Sequence, residues 1–227
     1  MERFEDEFVT WHHKTPVGIK IDEVFGMDCR DGKVWLEFAR QIFCEQGVND
    51  YREIGHFENG APFIYGLNAR ISITHANHLF VGAFLPKTPE ADLSVFSPRT
   101  AMGIDAEALD REQVLKIRSK FLSQEEIENI PENDIIENIK AWTSKEALYK
   151  AAFNPGIDWK SDLIIKRLPG LDKEPEKLKT PDLGKAILRF HDADTIIDHE
   201  MNLYSYESYG CCVTIAYSPK CAKFGNH

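Results

Sequence analysis

"MGIDAE", Met102 to Glu107, begins like a buried strand yet carries Asp105 and Glu107 two positions apart. Residues i and i+2 of a strand project from one face, so this run sets two carboxylates side by side next to the apolar Ile104. Two such charges repel unless a cation or a shared proton lies between them. A plainer account ends the strand at Gly103 and lets both acids favour the N-terminus of a following helix.

A second stretch weighs on that choice. From about Asp134 to Phe153 the pattern is helical, with Pro155 and Gly156 close behind, and an apolar stripe runs Ile139, Trp142, Glu146, Tyr149, Phe153. Glu146 stands where the stripe calls for an apolar residue. Pairing with Lys150 at i, i+4 contributes ~0.2–0.5 kcal/mol, which explains the pair but not its place on the stripe. Three carboxylates without cysteines at ligand spacing suit a hard cation such as magnesium, which prefers oxygen ligands and keeps water and phosphate in its shell. The histidines His12, His13, His75 and His78 lack such cysteine partners, so zinc is not expected.

Composition bounds the rest. The chain has 227 residues, 43% of them hydrophobic, enough for one large domain or two small ones with a real core. A formal net charge of -10 repels a phosphate backbone, which argues against nucleic acid as a partner. The acidic start "MERFEDEFVT" lacks signal-peptide order and no apolar run is long enough to span a membrane, so a soluble, cytoplasmic protein is expected. The odd set Cys29, Cys44, Cys211, Cys212 and Cys221 reads as reduced core residues.

Organisation follows from periodicity and breakers. "KVWLEFA" (Lys33 to Ala39) alternates, and "ARISIT" with "HLFVGAF" predicts a hairpin from Ala69 to Phe84 turning through "HANH". The proline-broken stretch Leu85 to Ala101 is the expected linker, dividing an N-terminal half, residues 1–100, from a C-terminal half, residues 101–227. Beyond "MGIDAE", Asp110 can cap a helix carrying Val114, Leu115 and Ile117, and "SQEE" (Ser123 to Glu126) is a capping box for another. "KAILRF" and "MNLYSYESYGCCVTIAYS" predict a second hairpin around Ser208 to Gly210, and the charged run Leu171 to Asp182 an exposed loop. Hairpin strands ending "VGAF" and "TIAY" hint at a duplicated α+β unit.

"GIDAE" followed by "WTSKEALYK" resembles the paired signature of the 4'-phosphopantetheinyl transferase superfamily, and the Asp105 to Glu146 separation fits it. "ISITHANHLFVGAF" is similar to that family's segment in which a small hydroxyl residue and a histidine precede a strand, places taken by Thr74 and His75. The resemblance runs from about Gly60 to Ala152 and points to the larger, pseudo-dimeric members that serve fatty-acid, polyketide or nonribosomal peptide synthesis. It implies two α+β halves related by a pseudo-twofold axis in one chain, a monomer, with coenzyme A between them. The activity implied is magnesium-dependent transfer of phosphopantetheine from coenzyme A to a serine of an acyl or peptidyl carrier protein, releasing adenosine 3',5'-bisphosphate.

By the same resemblance Asp105, Glu107 and Glu146 form the metal cradle, and Glu146 is base, ligand or both. Lys150 is catalytic and meets the pyrophosphate; Lys145, Asp105, Thr74 and His75 complete the coenzyme-binding set, His75 on the 3'-phosphate. One departure is plain: many relatives have Gly-Lys-Pro ahead of the hairpin, whereas this chain reads Gly60, Ala61, Pro62. Arg70, Arg99 and Lys87 read as solvated surface charges. An acidic carrier needs a local basic patch, and Arg111, Lys116, Arg118 and Lys120 offer a positive helix face. Two rivals stay open: another magnesium-dependent phosphoryl-transfer enzyme, and a non-catalytic protein that binds coenzyme A or a carrier.

Overall fold

The computed structural model describes residues 9–14, 19–25, 54–65, 69–85, 94–174 and 180–221. The alternating run 33–39, Cys29, Cys44 and Lys87 lie outside them. Strands β1 (Val9–Lys14) and β2 (Lys20–Phe25) join the predicted hairpin β5 (Arg70–Ala76) and β6 (Leu79–Leu85) in an antiparallel sheet of order β1-β2-β6-β5, while β3 (Ile54–His56) and β4 (Pro62–Ile64) form a separate ribbon. Asn77 takes the left-handed conformation that the two-residue turn between β5 and β6 requires, at φ 51°.

The strand β7 (Met102–Ala108) is an edge of the second sheet, of order β7-β12-β11-β10-β8. Its other members are β8 (Leu163–Arg167), β10 (Gly184–Asp192), β11 (Thr195–Ser208) and β12 (Cys211–Tyr217). Tyr209 and Gly210 both take positive φ, 46° and 73°, which lets a two-residue turn close β11 onto β12. Strand β11 begins earlier than the alternation suggests and pairs with β10 from Thr195 onward, so "KAILRF" belongs to a further hairpin. Part of the expected exposed loop is also strand: β9 (Leu171–Asp172) lies parallel to β11.

Three helices follow β7: α1 (Gln113–Phe121), α2 (Gln124–Asn129) and α3 (Ile135–Ala152). Glu112, not Asp110, precedes α1, and it makes no side-chain cap. The capping box forms as its sequence predicts: the Ser123 hydroxyl accepts from the Glu126 amide, and the Glu126 carboxylate accepts from the Ser123 amide. Asp134 caps α3, and Phe153 ends it in the left-handed region at φ 57°.

The second sheet is covered on both sides. Met102, Ile104 and Ala106 of β7 face the first sheet together with Val213, Ile215 and Tyr206, in one core. Gly103, Asp105 and Glu107 project from the opposite face, the face on which α3 lies. The approach there is close, because a Cβ on Gly103 would stand 2.1 Å from the Ala147 carbonyl oxygen and 2.7 Å from the Ala151 nitrogen.

That closeness corrects the expected stripe. Of its members only Ile139 is fully buried; Trp142, Glu146, Tyr149 and Phe153 are half-buried. The face against the sheet carries small or polar residues instead, among them Thr143, Ala147 and Ala151. A hydroxyl chain joins the layers, Thr143 Oγ1 lying 2.7 Å from Thr214 Oγ1, which in turn lies 2.6 Å from Ser205 Oγ. Large side chains would hold α3 too far from β7 for Gly103 to touch it.

Buried cations fasten the helical layer. Lys145 is 0% exposed; its ammonium lies 2.8 Å from Glu126 Oε2 and donates to the carbonyls of Trp159 and Leu163. Glu126 also accepts from the Ile165 amide at 2.7 Å, so one carboxylate holds α2, α3 and β8 together. Arg118, expected on a solvated basic face, is buried and donates to the carbonyls of Ile127 and Ile130. Arg70, expected on the surface, is 1% exposed, donates to the Thr100 and Val95 carbonyls, and stacks its guanidinium 3.3 Å from the centre of the Phe153 ring.

Two stability predictions follow from this packing. Gly103→Ala forces α3 off β7 and lowers the unfolding free energy by ~1–3 kcal/mol or more, read as a lower urea midpoint. Lys145→Met strands Glu126 as a buried lone charge and costs ~3–5 kcal/mol, and adding Glu126→Gln restores a substantial part of the loss. Equal midpoints for the single and double variants would deny the pair its role.

Candidate active site

Beside the crossing of α3 over β7 a hollow opens, lined by Thr74, His75, Asp105, Glu107, Arg111, Trp142, Glu146 and Lys150. Strand alternation sets Asp105 and Glu107 on one face, and α3 brings Glu146 and Lys150 to the same place from above. Thr74 reaches in from the other sheet: its hydroxyl donates to Asp105 Oδ1 at 3.0 Å and accepts from the Ala106 amide at 3.2 Å. His75 follows at the end of β5 with its side chain exposed, on the rim.

Lys150 does not settle on Glu146, as the i, i+4 spacing suggests. Its ammonium crosses to β7 and lies 2.8 Å from Asp105 Oδ1, donating also to the Ile104 carbonyl at 3.0 Å and the Ile73 carbonyl at 3.4 Å. Glu107 has a cation of its own, Arg111, whose guanidinium donates to Oε2 while the Ala108 amide donates to Oε1 at 3.0 Å. Arg111, expected on the basic helix face, belongs to the hollow; its signal in the sequence is a position four residues past Glu107, just beyond the strand end. Lys116 and Lys120 remain exposed on that face, and Arg118 is withdrawn from it.

Glu146 is the carboxylate with neither cation to itself. Burial, then repulsion from Asp105 and Glu107, outweighs Lys150 and Arg111 and pushes its carboxyl up to about 7. Three acids against two bases leave the hollow with an excess negative charge. Among the described residues no three His, Cys, Asp or Glu side chains are gathered closely enough to hold a metal ion as they stand. The donor chemistry nevertheless fits a hard divalent cation: the candidates are all carboxylates, they face one hollow, and their mutual repulsion is what such an ion relieves.

Lys145 is not brought to the hollow. It lies on the far side of α3 in the pair with Glu126, so of the predicted residues Thr74, His75, Asp105, Glu107, Glu146 and Lys150 converge and Lys145 does not.

A second hollow adjoins the first, sharing Ile73 and Lys150, and runs between the turn Asn59–Pro62, strand β5 and the end of α3 at Tyr149, Phe153 and Pro155. Asn59 shapes it: its side chain donates to the Phe153 carbonyl at 3.0 Å and accepts from the Ala61 amide at 3.1 Å. Ala61 presents only a methyl there, and Lys150 is the one lysine or arginine among the described lining residues. Asn59 acts through a backbone carbonyl and an amide, and Arg70, behind the wall, through carbonyls and the Phe153 ring, contacts that sequence spacing does not reveal.

A comparison with curated proteins gave no match. The family model of the 4'-phosphopantetheinyl transferase superfamily matches residues 101–211, a span that begins just before β7 and contains α1 to α3. Residues 101–211, which supply Asp105, Glu107, Glu146 and Lys150, are a domain of the 4'-phosphopantetheinyl transferase superfamily.

Proposed function

We propose that the protein transfers the 4'-phosphopantetheine group from coenzyme A to a serine of an acyl or peptidyl carrier protein, releasing adenosine 3',5'-bisphosphate, with magnesium as its metal. The observation that carries the reading is the convergence of three carboxylates and Lys150 in one hollow within the matched span. The adjoining hollow, whose described lining holds no acid and only Lys150 among lysines and arginines, gives the coenzyme a second place to lie, and Lys150 stands where the two meet.

In this reading Asp105, Glu107 and Glu146 hold the ion, which when bound supplies Lewis-acid polarisation of the phosphoryl oxygens. Glu146, deprotonated, takes the proton of the carrier serine as its oxygen attacks the phosphorus bearing the pantetheine arm. The bond from that phosphorus to the bridging oxygen breaks, and Lys150 balances the charge that gathers on the departing phosphate. Thr74 keeps Asp105 in place through its hydroxyl, and His75 on the rim meets the 3'-phosphate. Lys145 serves the reaction only by fixing α3.

The reading also takes residues 1–100 and 101–227 as two pseudo-twofold-related halves of one monomer, with the cleft at their junction, in support of which Thr74 of the first meets Asp105 of the second. The carrier, being acidic, docks on the exposed Lys116 and Lys120. No helix among the described residues is long and apolar enough to cross a membrane, and a cytoplasmic site of action is part of the proposal.

Mixed with an apo carrier, coenzyme A and magnesium, the protein adds one phosphopantetheine to the carrier's mass; a chelator stops the gain, and Glu146→Gln abolishes it with the fold retained. Unchanged mass on several fatty-acid, polyketide and peptide carriers would sink the proposal, and near-normal turnover of Glu146→Gln would remove Glu146 from the mechanism.

A pH test isolates the same carboxyl. With its folded pKa raised above the unfolded value, Glu146 binds more protons when folded, so it costs stability progressively as pH rises from about 4.5 to about 7 and fully above. In metal-free buffer Glu146→Gln therefore melts higher than the parent at pH 8, and the two converge toward pH 5. A difference that grows toward acid contradicts the assignment.

A further inference from the structure

Two of the three carboxylates in the cleft already have a resident cation, and the two cations are held in different ways. Lys150 donates to three acceptors on two strands, Asp105, the Ile104 carbonyl and the Ile73 carbonyl, and its side chain is 30% exposed. Arg111 stands in the turn after β7 with its side chain 51% exposed, and Glu107 is its one hydrogen-bond partner among the described residues. Removing Lys150 from its place would take a donor from two carbonyls and the one cation from Asp105, which among the described residues would keep only the Thr74 hydroxyl; removing Arg111 takes a donor from Glu107 alone, and the guanidinium passes into water.

A divalent cation cannot simply be added to this arrangement. It would meet two positive groups already seated on the carboxylates it needs, and as they stand the acids form no three-ligand cluster. One of the resident cations must give way. We propose that Arg111 is a displaceable counter-ion, and that a divalent cation enters the cleft by taking its place on Glu107 while Lys150 stays on Asp105. At Glu107 the exchange breaks one guanidinium–carboxylate contact and puts one metal–carboxylate bond in its place, Asp105 and Glu146 being the ion's other carboxylates. It leaves Arg111 free at the rim, where its charge is available to an incoming anionic group. In the metal-free protein the same contact keeps Glu107 paired, so Arg111 limits both the repulsion in the empty cleft and the affinity for the ion. The inference rests on the reading that these carboxylates bind a divalent cation.

The test uses the metal alone. Full-length protein is titrated with Mn²⁺, free ion being followed by electron paramagnetic resonance, for the parent, Arg111→Gln and Arg111→Lys. An exposed ion pair of this kind opposes binding by ~5-fold at most, so Arg111→Gln binds Mn²⁺ up to ~5-fold tighter than the parent, with Arg111→Lys between. In parallel, the Nε–Hε signal of Arg111, identified by its loss in Arg111→Gln, shifts as Mg²⁺ is added to the ¹⁵N-labelled parent. Equal or weaker binding by Arg111→Gln, or an Arg111 signal unmoved at saturating Mg²⁺, overturns the exchange. If Mn²⁺ binds both proteins with one affinity, only the exchange falls; if it binds neither, the metal reading falls with it.

Discussion

The hydroxyls of Ser72 and Thr74 take up the two amides that β7 turns toward the first sheet. Ser72 accepts from Ile104 at 3.0 Å and Thr74 from Ala106 at 3.2 Å, so an edge strand that would otherwise bury unpaired donors is closed by side chains. The two sheets thereby meet without sharing a ladder. Thr74 spends its own proton on Asp105, which means the contact that joins the sheets also aims a carboxylate into the cleft. Replacing the hydroxyl would leave the Ala106 amide without its acceptor and Asp105 without one of its donors together.

Packing and charge then act in sequence. Gly103 lets α3 descend onto β7, and that descent carries Glu146 into the neighbourhood of Asp105 and Glu107, where three like charges cannot all be relieved by two cations. The protein holds an unfavourable carboxyl in the cleft, at the place where the proposed reaction needs a base or a metal ligand. A raised carboxyl in a cleft, produced by burial together with named charges, is the kind of perturbation that chemistry uses and a stable core avoids.

What could be read from the sequence was local. The i, i+2 placement of Asp105 and Glu107, the Ser123–Glu126 capping box, the helix begun near Asp134 and the turn through His75 to His78 each depend on neighbours within a few residues, and each is present. The sides of α3 were harder, because the surface packed against Gly103 calls for small residues, Ala147 and Ala151, while Trp142, Glu146 and Tyr149 of the apolar stripe stay half-buried. The cations were hardest. Arg118 and Arg70 look like surface charges and Lys145 like a coenzyme ligand one residue at a time, and only the fold supplies the carbonyls, the carboxylate and the ring that satisfy them.

Arg70 connects that lesson to the cleft. Burial pulls its guanidinium down to about 9, still charged at neutral pH, and the charge is spent on the Thr100 and Val95 carbonyls and on the face of Phe153. Phe153 ends α3, and its carbonyl is held by Asn59, so the wall of the second hollow is fixed by contacts that present no charge to its interior. With Ala61 on the opposite wall, Lys150 supplies positive charge to both hollows. At their junction Lys150 joins Asp105 of the second sheet to the Ile73 carbonyl of the first.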